Sequence, residues 1–322
     1  MRLSRRQFVA LTLLGTASEV VLAQPEHKVV RMIVPNAVGS STDALARSVQ
    51  PALNDLLKGS VVVDNQPGAG GILGMQALAR SKPDGATLSI VSNNVVIFPS
   101  VLKSVPFRMP DDFTPIAMLG STPLVLVVNP NTVSAKNSKE FIELLKSKPE
   151  KYTYASGGNG TILHLASAMF LDEVGATALH VPYKGVGPMI SDLLGGQVDF
   201  ATAGLPSLQS HIASGKLRAI GVCTPERVPS APDLPTIVEQ GVPNHVVEAW
   251  FAALGPAGLS ATEVKRLNGV FVAAFDNPQV KQAMSKQGNT IEVSTPEQAT
   301  STFKNDLTRY ESLVKKTGVQ PT

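Results

Sequence analysis

The chain of 322 residues carries 43% apolar and 16% charged side chains, enough length and apolar content for two domains with well-filled cores. Its 28 lysines and arginines are set against 25 acidic residues, a formal net charge of +3, and form no basic run, which disfavours a nucleic-acid surface. The single cysteine excludes an intramolecular disulfide, and the five histidines show no metal-ligand spacing, so no metal or other cofactor is expected.

The N-terminus reads as an export signal. Ser4-Arg5-Arg6-Gln7-Phe8 precedes an apolar run over 9–14, and further apolar residues at 20–22 lead to a small residue at a cleavage-like position, so cutting after about Ala23 is expected. The paired arginines give the signal a twin-arginine character. Its apolar part is too short and too interrupted to span a bilayer. Without residues 1–23 the formal charge falls from +3 to +1. A soluble, periplasmic protein is the resulting expectation.

Residues 29–34 form a continuous apolar run of the type found in buried parallel strands. The run enters a small polar loop, Pro35-Asn36-Ala37-Val38-Gly39-Ser40-Ser41-Thr42-Asp43, and then a helix with Leu45, Val49 and Leu53 on one face. Pro51 lies inside that helix and should kink it. A strand is expected over 61–63, a helix from the glycine-rich segment 66–71 to about Ser81, and a strand over 87–91. Residues just past the carboxyl ends of parallel strands line ligand crevices, which makes Asn93 a site candidate. Segment 106–115 is proline-rich and irregular; strands are expected at 116–119 and 124–128, interrupted by Ser121-Thr122-Pro123, and a helix at 138–147.

The most informative stretch is 154–164. A strand ends near Ala155, Ser156 opens a loop with Gly157, Gly158 and Gly160, and Asn159 or Thr161 can cap the helix that follows. That helix carries the stripe Ile162, Leu165, Ala166, Met169 and Phe170. Strand, polar loop and helix N-terminus together place free amides and the positive helix end at one spot, an anion site. An ordinary strand-to-helix turn would look the same. Recurrence of the device at 35–43 favours the site. His164, three residues into the helix, either reaches this cleft or bonds locally.

A strand follows at 178–181, with Tyr183 just past its end, then a helix at 186–194 and a strand at 198–201. Asp199 on that strand would accept from a ligand amine or cap a loop. A helix at 207–214, a strand at 217–223 containing Cys223, a short helix after the proline-rich 225–235, and an extended segment at 246–254 come next. Helices at 260–275, 278–286 and 296–317 close the chain. The alternation of strand and helix indicates α/β sheets.

Short motifs then accumulate along nearly the whole chain: Val34-Pro35 with 39–43, Asp64-Asn65-Gln66-Pro67-Gly68-Ala69-Gly70-Gly71, Asp112-Phe113-Thr114-Pro115-Ile116, and Tyr154 to His164. His180-Val181-Pro182-Tyr183-Lys184-Gly185, the segment 192–199, Pro232-Asp233-Leu234-Pro235-Thr236, Trp250-Phe251 and Gly255-Pro256-Ala257-Gly258 complete them. In this order and spacing the chain resembles the substrate-binding proteins of tripartite tricarboxylate transporters, the Bug-type extracytoplasmic solute receptors. The resemblance implies an α/β, two-lobed periplasmic binding protein of type II, a Venus flytrap with two crossing strands. Mapped here, 27–122 and 250–322 would form one lobe and 123–249 the other, with crossings at 124–128 and 246–254. Hinge closure would then bring the two loops face to face. The implied partners are a small carboxylated solute and the membrane subunits of a transporter, and a monomer is expected. The ligand set expected on this mapping is Asn36, Gly39, Ser40, Ser41, Thr42, Asn93, Ser156, Asn159, Thr161, His164, Tyr183 and Asp199. Asn36 stands where the family usually has an aromatic residue, and Gly39-Ser40 where it usually has two glycines.

Two other functions were weighed against this one. Ser100 to Lys103 fits a Ser-x-x-Lys pattern and Lys316-Thr317-Gly318 a Lys-Thr-Gly pattern, but Ser-x-x-Lys recurs at 301–304 and 312–315, and Lys316 lies at a helix end where an enzyme of that type needs a strand. No Gly-x-Ser-x-Gly elbow exists, so catalysis is disfavoured. A receptor reporting ligand to a membrane sensor would share the fold and the cleft.

Overall fold

The computed structural model describes residues 28–317, and the expected export signal lies outside the described residues. Ten strands are β1 (Lys28–Val34), β2 (Gly59–Asn65), β3 (Thr87–Ser92), β4 (Phe113–Val128), β5 (Thr153–Ser156), β6 (Leu179–Pro182), β7 (Phe200–Gly204), β8 (Arg218–Val222), β9 (Glu248–Pro256) and β10 (Thr290–Ile291). Ten α-helices accompany them: α1 (Ser41–Leu57), α2 (Ile72–Ala79), α3 (Asn94–Val101), α4 (Ser138–Ser147), α5 (Ile162–Val174), α6 (Val186–Leu194), α7 (Leu205–Ala213), α8 (Ala261–Asp276), α9 (Pro278–Lys286) and α10 (Pro296–Thr317).

The strands build two sheets that share β4, giving the two-lobed α/β architecture. In the first sheet β1 runs parallel to β2 and β3, and β9 lies antiparallel between β3 and β4. In the second, β5 runs parallel to β6 and β7, while β4 pairs antiparallel with β7 and β8. The two strands expected at 116–119 and 124–128 are thus one. Ser121-Thr122-Pro123 looks like a break because proline cannot donate to a ladder. Its missing N–H falls where β4 changes partner: Pro123 pairs with Glu248 of β9, and Leu124 with Gly204 of β7. The return crossing is at 247–248, where the Val247 amide donates to Cys223 O (2.8 Å) and Glu248 enters the first sheet.

Apolar faces cover both sides of the first sheet. Val30, Met32 and Val34 point toward Leu45, Val49, Leu53 and the α8 residues Leu267, Phe271 and Phe275, while Ile33 joins the core that continues through β4 to Phe141, Phe170 and Phe200. Helix α1 continues through Pro51, which lies on its exposed side, where water can serve the carbonyl that the proline leaves without a donor. Helix α3 has no counterpart among the expected elements. Val95, Val96, Ile97, Phe98 and Val101 are all buried, so the segment has no amphipathic period to read. The short helix expected after residue 235 is instead a set of turns. Thr236 and Glu239 exchange the reciprocal bonds of a capping box, but Gly241 and Pro243 stop any helix there. Helix α10 packs on α3 and β4 and reaches the second sheet's helix α5 through Lys316 Nζ and Asp172 Oδ2, 3.1 Å apart.

Candidate functional site

Both polar loops leave the carboxyl edges of their sheets, the position at which α/β folds hold ligands. In the first, Ser40 caps α1 by accepting from the Asp43 amide (3.2 Å). Asp43 itself is 2% exposed and organises the loop. Its Oδ2 accepts from the Gly39 amide (2.9 Å), and its Oδ1 from Arg47 Nε (2.9 Å) and Asn65 Nδ2 (3.0 Å). Burial pushes this carboxyl up, but the Gly39 amide, Arg47 and Asn65 together outweigh it and hold the group below the usual carboxylate range. Asn65 Nδ2 also donates to Asn36 O (3.1 Å), so the end of β2 ties down the loop after β1. An internal anion therefore already serves the Gly39 amide. The α1 amides of Ser41 and Thr42 take no acceptor among the described residues and, with the Ser41 hydroxyl, are what the loop offers a ligand. Asn36 Oδ1 is buried without a partner among the described residues.

The second loop is more self-contained than its sequence suggests. Ser156 is fully buried; its Oγ lies 2.7 Å from His180 Nε2, donates to Gly158 O (3.0 Å) and accepts from the Gly158 amide (3.2 Å). Thr161 caps α5, accepting from the His164 amide (3.4 Å) and donating to Gly158 O (2.9 Å). Neither hydroxyl is left over for a ligand. Asn159 is exposed. Of the first-turn amides of α5, that of Ile162 donates to Asn94 Oδ1 (2.8 Å) at the start of α3, which leaves that of Leu163 free among the described residues. Gly160 has φ +68, and a Cβ there would collide with Val101 at the end of α3, so only glycine fits this approach.

His164 bonds locally: its Nδ1 accepts from the Gly160 amide (3.1 Å). Its ring stacks on His180 with centroids 3.7 Å apart, and His180 stacks on Tyr154 at 4.8 Å. Burial, and then the His180 charge, push His164 down to about 3, and burial pushes His180 down to about 4, so both rings are neutral at pH 7. This stack is a rigid, uncharged backing for the loop.

Three other candidates make their side-chain hydrogen bonds outside the two loops. Asn93 is fully buried, and its Nδ2 donates to Glu248 O (3.0 Å) and Tyr310 Oη (2.9 Å), joining β3 to β9 and α10. Tyr183 donates its hydroxyl to Asp192 Oδ2 (2.8 Å), and burial together with that carboxylate raises the phenol to about 12. Its backbone amide donates to Ser156 O (3.0 Å), so Tyr183 borders the loop through its main chain. Asp199 sits at the opposite end of the second sheet from Ser156, and its Oδ2 accepts from the Thr153 amide (2.8 Å) and hydroxyl (3.0 Å). Asp199 thus bonds the first residue of β5.

The structure also brings in residues that sequence reasoning passed over. Asn94 bridges α3 to α5, and Gly204, at the end of β7, lies beside Ser41: a Cβ on Gly204 would sit 3.2 Å from Ser41 Oγ and 3.7 Å from Thr122 Cγ2. The first loop thus meets the start of α7, while the second loop meets α3. The doubled asparagine at 93–94 was the one available signal for Asn94; nothing in the sequence marks Thr122 or Gly204.

Comparison with known proteins adds four findings. A model of the tripartite tricarboxylate transporter family receptor matches residues 45–319. The protein BugT of Bordetella pertussis is 34% identical over 308 residues, covering 95% of this chain and 94% of that one. Among solved structures, the periplasmic binding protein BugD superposes with a TM-score of 0.85 at 32% identity over 93% of this chain and all of that one. An R. palustris protein solved with adipate superposes at 0.87 with 26% identity, over 93% of this chain and all of that one.

Proposed function

Since the chain belongs to the tripartite tricarboxylate transporter receptor family, we propose that it captures a small organic carboxylate between its two lobes and hands it to the membrane subunits of such a transporter. The lobes in this reading are 27–122 with 250–322 and 123–249, and the protein acts in the periplasm as a monomeric binding protein, without catalysis. The observation that carries the proposal is the set of free amides at the N-termini of α1 and α5, Ser41, Thr42 and Leu163, beside the Ser41 hydroxyl. The adipate held by the R. palustris protein supports a carboxylated solute. Hydrogen bonds to a charged group contribute about 1.5–3 kcal/mol each, so four supply about 6–12 kcal/mol gross. Micromolar affinity needs about 8.2 kcal/mol, and ordering and closure subtract from the gross figure. Only the upper part of that range exceeds the requirement, so neutral donors reach micromolar affinity when all four engage charged oxygen.

Delivery to a transporter is tested by uptake. Cells lacking this chain should lose saturable import of the radiolabelled acid that the purified protein binds, and regain it on complementation. Undiminished import combined with loss of ligand-induced gene expression would favour the sensing receptor instead.

A further inference from the structure

Helix α10 follows α8 and α9 in the chain but does not share their core. Leu267, Phe271 and Phe275 of α8, with Val280 and Met284 of α9, cover the first sheet. Phe303, Tyr310 and Val314 of α10 instead join the core that runs from Ile33 and Val91 through β4 to Phe141, Phe170 and Phe200 of the second. The middle of α10 holds the return crossing before and after the strand changes lobe. Arg309 Nη2 donates to Val246 O (3.3 Å), just before the crossing at 247–248. Just after it, Trp250 Nε1 donates to Asp306 Oδ2 (2.6 Å), a carboxylate only 9% exposed, and the Trp250 ring meets Phe303 with centroids 5.1 Å apart. Between these two ties the buried Asn93 Nδ2 bonds both Glu248 O (3.0 Å) and Tyr310 Oη (2.9 Å). About 9 Å further along the helix than Tyr310, Lys316 Nζ pairs with Asp172 Oδ2 of α5 (3.1 Å). A hydrogen-bonded helix does not stretch, so a rotation at 247–248 that parts the lobes has to break one of these ties. The solvent-exposed Lys316–Asp172 pair is the weakest of them.

We propose that α10 is a strap across the hinge, a third connection between the lobes beside the crossings in β4 and β9, and that it limits how far the lobes part. On the reading that the cleft captures a solute, this limit raises the binding-competent fraction and so the apparent affinity, without any contact between α10 and the ligand.

The test places spin labels on the full mature chain through Lys139→Cys on α4 and Lys265→Cys on α8, both exposed positions, while the buried Cys223 stays unlabelled. Double electron–electron resonance on the ligand-free protein then reads the distance between the lobes. Lys316→Glu and, at the hinge end, Trp250→Phe should each move the distribution to longer distances. Adding Asp172→Lys to Lys316→Glu should restore it, and Asp306→Asn, which keeps an acceptor for the indole, should stay near wild type. In calorimetric titration with succinate, malate, adipate and citrate, Lys316→Glu should bind the tightest acid about 3- to 10-fold more weakly, and the charge swap should regain the loss. A merely structural helix would lower the melting temperature of these variants and leave the distances unchanged, which overturns the strap. If the wild type binds none of the acids, the carboxylate reading falls, and the distances still decide for or against the strap.

Discussion

Replacing Asp43 with alanine is expected to destabilise the protein by about 1–3 kcal/mol and to weaken ligand binding at least about tenfold, because it removes an acceptor from three donors at once. The carboxylate holds the Gly39 amide, Arg47 and Asn65, and through Asn65 the carbonyl of Asn36. Removing it leaves the Gly39 amide without its acceptor, takes one of the two acceptors of the Asn65 amide, and frees the loop that precedes α1. The Arg47 side chain is 48% exposed and can turn to water, which is why the expected cost stays below that of a fully buried pair. Asp43→Asn keeps an acceptor for the Gly39 amide and should fall between the two. Urea denaturation with calorimetry on the same preparations checks both effects; a loss below about 0.5 kcal/mol for the alanine variant would contradict the organising role.

The second large effect is with acid. His245 is completely buried, neither ring nitrogen has a hydrogen-bond partner among the described residues, and its ring meets the face or edge of Phe170 at 5.5 Å. Burial pushes it down to about 4, as it pushes His164 to about 3 and the less buried His180 to about 4. The unfolded chain protonates these rings near pH 6.5, whereas the folded chain does so only well below that. Between those values the unfolded state binds more protons, so stability rises with pH across the window and is lost as pH falls from 6.5. By pH 4.5 each of His164 and His245 should have cost on the order of 2 kcal/mol, with a smaller share from His180. His245→Leu should flatten the decline between pH 6.5 and 4.5. An equally steep profile in that variant would assign the acid sensitivity to other groups.

The alternation of strands and helices, the two βα loops and the last two helices were legible because each has a local signal: an apolar run, a cap, a glycine cluster or a 3.6-residue period. Helix α3 was not, because its residues from Asn94 to Phe98 are buried in unbroken succession and show no amphipathic period. The continuity of β4 was hidden by Pro123, which reads as a break until its position at the change of partner is seen. Within the site, residue types located the loops but could not assign their hydrogen bonds. Ser156 and Thr161 are the right chemistry for a carboxylate, yet both serve the loop itself, and Asn94 takes an α5 amide that would otherwise face a ligand. Asp199 stands just before β7, at the opposite end of the correct sheet from the loop, a distinction that depends on strand direction and register. Contacts between distant segments, such as Ser41 with Gly204, have no local signature.

In the proposed binding mode, neutral donors at the helix ends recognise carboxylate charge. Calorimetric titration of the purified chain with succinate, malate, adipate and citrate, each against its fully amidated counterpart, tests this most directly. At least one acid should bind in the micromolar range, with its amide weaker by about 100-fold or more, since the bonds lost are those to charged oxygen. Equal binding of acid and amide, or binding of an uncharged solute where every acid fails, would contradict it.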